Sequence, residues 1–158
     1  MGSKEPIVLQ PIGFVRTIGE GNEVKNRNLV SKIELREDLT EALEGLAEFS
    51  HIFVLFYLNQ ITNEELPFKI HPQGRTELPL VGVYATRTSL RPNQIGLTVV
   101  ELLKIEGSIL TVRGLDAYND SPVLDIKPYD LWDSKSEIKV PEWRKQLEEE
   151  NQGLKANL

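Results

Sequence analysis

The chain has no cysteine, two histidines and one methionine in 158 residues. Without thiols there are no disulfides, thiolate metal sites or cysteine nucleophiles. His51 and His71 are too few imidazoles for a zinc site to be expected, so no metal is expected. No apolar run approaches the ~18 residues a membrane-spanning helix needs, so no membrane association is expected. The opening "MGSKEPIVLQPIGFV" lacks the charged-then-apolar form of a signal peptide, and Gly2 is followed by residues that fit a myristoylation signal poorly. A cytoplasmic protein is the expectation. No G-x-G-x-x-G follows a strand-like run, so the dinucleotide-type pocket of α/β folds is not expected either.

Positive charge is also scarce. The net charge is −6 and the pI about 5.0, which argues against a broad phosphate-binding surface. The distribution is uneven. Residues 20–48 carry four basic and eight acidic side chains, whereas residues 67–100 carry Lys69, Arg75, Arg87 and Arg91 against Glu77 alone. A local positive patch can survive on an acidic protein.

The length suits one domain, and the pattern is mainly β. Strands are expected at 7–17 (bulged or at an edge, because of Pro11), 29–35, 50–58 (a continuous apolar run, read as a buried central strand), 80–86 and 122–129, with a short one at 69–71. Residues 95–106 and 109–118 read as a long hairpin across Gly107-Ser108. One or two helical turns are expected from Asp38 to Gly45. An amphipathic helix over 141–151 starts at Pro141, with Trp143 and Leu147 at i and i+4 to dock it. Strands with only short helices between them predict a small β-barrel over residues 1–130. Residues 131–158 are expected to form a C-terminal extension whose helix docks on that barrel.

The stretch "ATRTSLRPNQIGLT", residues 85–98, sets Arg87 and Arg91 beside the stiff turn Pro92-Asn93. Two readings stand. The arginines either pair with surface carboxylates or line a pocket for a carboxylate or phosphate, where a guanidinium gives a bidentate grip. A second cluster, "GLDAYNDSPVLDIKPY", holds Asp116, Asp120 and Asp125 near Tyr118 and Tyr129. It reads either as a polar turn or as part of a site. His51, inside an apolar run, reads as a hydrogen-bonded core residue and His71 as a plain loop residue. Trp132 and Trp143 are expected to pack the C-terminal segment.

In order along the chain, "PIGFVRT", "FSHIFVLF", "VGVYATRTSLRPNQIGLTVVEL" and "SPVLDIKPY" resemble the TrmO family, also called TsaA-like or YaeB-like, over roughly residues 10–130. The resemblance implies an S-adenosylmethionine-dependent tRNA methyltransferase built on a small β-barrel. It implies a homodimer with the cofactor near the subunit interface, and the tRNA anticodon loop as partner. The reaction implied is methylation of the exocyclic nitrogen of threonylcarbamoyladenosine beside the anticodon. By position, it implies cofactor contacts at Gln60, Ile61, Arg87, Leu97, Arg113, Gly114, Leu115 and Asp116, with Arg91 and Asn93 in the "RPN" core. Asp125, Lys127 and Tyr129 lie in "DIKPY". The family usually has His at Asn59, Pro at Gln94 and "DGTP" where this chain has Asn119 to Pro122. Bacterial members carry a further domain beyond "DIKPY", where about 29 residues follow here.

An acceptor nitrogen in a urea-like group has a delocalised lone pair, so a proton acceptor would help. Asp120, Asp125 and Tyr118 are the candidates. Two other functions fit the same cofactor: methylation of a small molecule or protein side chain, and a sensor module without turnover.

Overall fold

The structure, a computed structural model, describes residues 5–62 and 65–156. Gly2 lies outside the described residues. Among the described residues run eight strands and one α-helix: β1 (Gly13–Arg16), β2 (Val30–Leu35), β3 (His51–Tyr57), β4 (Lys69–Ile70), β5 (Val81–Gly82), β6 (Ile95–Glu106), β7 (Ile109–Arg113), β8 (Pro122–Pro128) and α1 (Glu142–Ala156). The described residues fall into two compact units, 5–62 with 93–131, and 65–92 with 132–156.

The first unit is a closed barrel in the order β1-β2-β7-β6-β3-β8, with every neighbour antiparallel. The mainly β, small-barrel expectation holds. Period-two alternation builds it, because successive side chains of a strand point to opposite faces. In β2, Ser31, Ile33 and Leu35 are buried and Val30, Lys32 and Glu34 are exposed. Register then stacks the inward residues. Val15 faces Ile33, which faces Leu110, and all three are fully buried. Each such side chain contributes about 1.5–3 kcal/mol by leaving water.

Several elements differ from their sequence expectation. The first strand covers only 13–16. Pro11 has no N–H to add to a ladder, and Ile7, Val8 and Leu9 are exposed. The apolar run of β3 is buried on one face only: Ile52, Val54 and Phe56 point inward, while His51, Phe53, Leu55 and Tyr57 point outward. The expected core role of His51 is therefore corrected. It is exposed, with Nδ1 2.8 Å from Ser50 Oγ. The turn after Arg36 is 3₁₀ rather than α, and it ends at Leu43, two residues before Gly45, whose φ is +83°. The hairpin β6–β7 forms as expected, but β7 stops at Arg113, before a glycine with φ of +89°.

The second unit holds the β4–β5 ladder, two 3₁₀ turns and α1. The expected strand at 80–86 shrinks to Val81–Gly82, followed by a 3₁₀ turn over Val83–Ala85. Leu78, Val83 and Leu147 are buried in this unit. Arg75 joins its loop to the helix: Nε donates to Glu77 at 2.7 Å and Nη1 to Glu150 at 2.5 Å. His71 is half-buried rather than a plain exposed loop residue, with Nδ1 2.7 Å from the Leu78 carbonyl. Trp132 is 84% exposed and carries the Lys135 ammonium over its ring, so its expected packing role is also corrected.

Candidate functional site

Antiparallel closure sends alternate strand ends to one side. The ends of β1, β3 and β7 and the starts of β2, β6 and β8 share one end of the barrel, as the pairs Arg16–Lys32, Tyr57–Ile95, Arg113–Val30 and Phe14–Pro122 show. The loops 17–29, 58–61, 93–94 and 114–121 form that rim. Residues far apart in sequence are thereby brought to one place.

Gln60 and Ile61 lie in the turn after β3, where Leu58 N–H donates to the Gln94 carbonyl at 2.9 Å. Asn93 precedes β6, and its carbonyl accepts from Ile95 N–H at 2.8 Å. Leu97 is on the outer face of β6 opposite Leu55, and Leu55 lies opposite Asp125 on β8. Leu97 and Asp125 thus occupy one lateral row. Arg113 leaves β7 with its Nη1 2.6 Å from Glu101. Gly114 follows with φ of +89°, and a Cβ there would sit 3.1 Å from the Arg27 carbonyl oxygen. That backbone favours glycine. Leu115 is then fully buried and Asp116 exposed, its carboxylate accepting the Thr98 hydroxyl proton. At Gly96 a Cβ would meet the Phe56 ring at 2.5 Å, so glycine is what lets the strand lie against that ring.

Asp120 also lies on the rim. Its φ is +64°, unusual for a residue with a side chain, and its carboxylate accepts from Arg16 and from the Asn119 amide. Asn119 in turn accepts from Thr17 N–H at 3.1 Å. The Arg16 guanidinium is held above its ordinary range, chiefly by its hydrogen bond to Glu34 and further by the charge of Asp120. Tyr118 is half-buried in the same loop. Asp125 lies within β8, away from that loop, and pairs with Lys127 at 2.9 Å. Tyr129 sits edge-on to His51 and 5.5 Å from Phe53.

Arg87 and Arg91 belong to the second unit. Arg91 donates to the carbonyls of Thr86 and Thr88, both at 3.3 Å, and lies over the Tyr84 ring. Arg87 is exposed. Neither forms a salt bridge among the described residues, which removes the reading of both as surface ion pairs.

Two features of the rim were not foreseen from the sequence. Thr98 orients Asp116, and Arg16 organises the 119–120 turn. Both depend on strand register, and only the alternation of β1 and β6 hinted at them. An open cavity of about 360 Å³ lies at this end of the barrel, lined by Arg16, Thr17, Ile18, Val30, Ser31, Lys32 and Asn119.

Fold and rim define a class: a closed antiparallel barrel with the loops 17–29, 58–61, 93–94 and 114–121 gathered at one end. Residues 21–132 match the family described as tRNA-methyltransferase O N-terminal domain, and the chain belongs to that family. It is 37% identical over 128 residues to an S-adenosyl-L-methionine-binding protein of Archaeoglobus fulgidus, covering 78% of this chain and 89% of that protein. It is 41% identical over 88 residues to the human tRNA (adenine(37)-N6)-methyltransferase, covering 56% of this chain and 20% of that enzyme. The crystal structure of TrmO from Pseudomonas aeruginosa superposes with a TM-score of 0.69 at 33% identity, covering 85% of this chain and 61% of that one. The chain thus spans less than two thirds of the TrmO structure and a fifth of the human enzyme.

Proposed function

We infer that the chain binds S-adenosylmethionine and transfers its methyl group to the exocyclic nitrogen of an adenosine in tRNA, at the threonylcarbamoylated position beside the anticodon. The observation that carries this reading is the common rim. Gln60, Ile61, Asn93 and Arg113 to Asp116, spread over more than fifty residues of sequence, meet at one barrel end in a chain of the tRNA-methyltransferase O family. Relatives named for S-adenosylmethionine binding and for adenine-37 methylation support it.

The rim fits such a cofactor. Gly96 and Gly114 keep the backbone free of side chains where it lies close to neighbouring groups. Asp116, exposed and oriented by Thr98, suits a ribose diol or an ammonium. Arg87 and Arg91, in the second unit, are suited to a carboxylate, since among the described residues neither pairs with an acidic side chain. The bound cofactor supplies an electrophilic methyl on a sulfonium and a neutral thioether leaving group. The chain's own task is alignment, which is worth about 7–11 kcal/mol when nucleophile and methyl are held in line. Asp120, Asp125 and Tyr118 are assigned the acceptance of the acceptor's proton. Asp120 and Tyr118 lie on the rim, whereas Asp125 shares the row of Leu97 across β3. The outer face of β3 and β6 is assigned to a homodimer contact, and the protein to the cytoplasm.

Calorimetry with S-adenosylmethionine and mass spectrometry of tRNA nucleosides test the reading. Binding, together with loss of methylated threonylcarbamoyladenosine in a deletion strain, is expected. Binding with an unchanged nucleoside profile would transfer the activity to another acceptor or to a sensor role. No binding rejects all three.

A further inference from the structure

Outside the cofactor candidates, the barrel carries a second pattern in its charges. Among the described residues of the first unit, Arg16, Arg36, Lys104, Arg113 and Lys127 each hold a carboxylate. Lys25, Arg27 and Lys32 hold none. These three are consecutive cations of one segment. Lys25 ends the 3₁₀ turn of the 17–29 loop. Arg27 lies where its carbonyl meets Gly114. Lys32 stands on β2 beside Arg16 and lines the rim cavity with Thr17, Ser31 and Asn119. The nearby acids are otherwise occupied. Glu23 accepts from the Glu20 backbone at 3.0 Å within a reciprocal cap, and Glu34 and Asp120 are on Arg16. Glu106 bonds Lys104 and also feels Lys32.

We propose that Lys25, Arg27 and Lys32 form the phosphate-docking strip that lays RNA across the rim. A chain of net charge −6 repels a polyanion over most of its surface. Three cations without carboxylate partners, running from the edge of the Gly114 turn to the rim cavity, give the backbone of a single-stranded loop one place to approach. The cavity can take a phosphate or sugar beside the Lys32 ammonium. Phosphate contacts of this kind set register without reading bases. The inference rests on RNA as acceptor and adds where the acceptor is held.

The test is binding of a labelled tRNA anticodon stem-loop at several salt concentrations, by anisotropy, with S-adenosylmethionine affinity measured in parallel by calorimetry. The triple variant Lys25→Gln/Arg27→Gln/Lys32→Gln is expected to lose about tenfold or more in RNA affinity at low salt. Its log-affinity against log-salt slope should flatten by about two, near 0.7 for each single-strand phosphate no longer neutralised. Cofactor affinity is expected to stay, and Arg36→Gln, which removes a cation already paired with Asp38, should change neither. An unaltered salt slope in a triple variant that still binds RNA overturns the strip and leaves the methyltransferase reading intact. So does a parallel loss of cofactor affinity, which would make these cations part of the cofactor pocket. A wild-type chain that binds S-adenosylmethionine but no stem-loop overturns both the strip and the tRNA reading.

Discussion

At Gly114 one residue carries two demands. Its φ of +89° disfavours any side chain, and a Cβ would press the Arg27 carbonyl oxygen at 3.1 Å. An L-residue in such a conformation costs about 1–2 kcal/mol. Gly114→Ala is therefore expected to lower the melting temperature and, by displacing Leu115 and Asp116, to weaken S-adenosylmethionine binding; calorimetric melting and titration check each part. Arg87 poses the opposite case. It is exposed and pairs with no carboxylate among the described residues, so removing it should leave folding untouched. If its guanidinium grips the cofactor carboxylate, Arg87→Ala loses about 1.5–3 kcal/mol of binding, the usual worth of a hydrogen bond to a charged group. An unchanged cofactor titration would remove Arg87 from the pocket. The two substitutions separate a residue that shapes the site from one that touches the ligand.

Elements differ in how plainly the chain announces them. β2, β3 and the β6–β7 hairpin were readable because alternation or a long apolar run makes a strand the local optimum. The expected strand over 80–86 was not, since its apolar residues carry no alternation: Val83 is buried by a 3₁₀ turn and not by a ladder. The one-sided burial of β3 was also hidden, because an unbroken apolar run looks the same with one face covered or two. The resemblance pointed to the arginines of 85–98 and the "RGLD" turn as site candidates, while Thr98–Asp116 and Arg16–Asp120 needed register, which no single strand encodes. The tie between the 72–78 loop and α1 was equally invisible, with 75 residues between Arg75 and Glu150. It makes a pH prediction. Glu150 and Glu77 are held below their ordinary 4.5, first by their hydrogen bonds with Arg75. They bind fewer protons folded than unfolded, so their contribution is complete above 4.5 and fades as pH falls through the lowered folded values. The gap in melting temperature between the wild type and Arg75→Ala should be constant from neutral pH down to about 5 and shrink below it. A gap that does not change with acid would mean the pair holds nothing together.

For the molecule as a whole, closure bears on how it can associate. Among the described residues every barrel strand is bonded to a neighbour on both sides over part of its length, which leaves little edge for a partner to extend. A face offers the larger surface. The outer face of β3 and β6 is the apolar one: Tyr57 lies opposite Ile95, Leu55 opposite Leu97 and Phe53 opposite Val99, with Tyr57, Ile95, Leu97 and Val99 each 40–44% exposed. Neighbouring apolar residues of that kind mark an interaction surface more often than an inert one. The same row runs on to Asp125, so a partner seated there would lie beside Leu97 and the cofactor candidates. A charge at the centre of the face should therefore separate subunits without disturbing the core, because these side chains point away from Val54, Phe56 and Val100. On the homodimer proposed above, Leu97→Glu is expected to sediment at half the wild-type mass with an unchanged far-ultraviolet spectrum, and to bind S-adenosylmethionine more weakly through loss of the neighbouring subunit. Leu55→Glu, directly opposite on β3, should reproduce both effects, since the two side chains belong to one patch. A wild-type chain that sediments as a monomer, or a Leu97→Glu variant that remains a dimer, would free this face from any role in assembly. Monomeric variants with intact cofactor affinity would instead place the whole pocket within one chain.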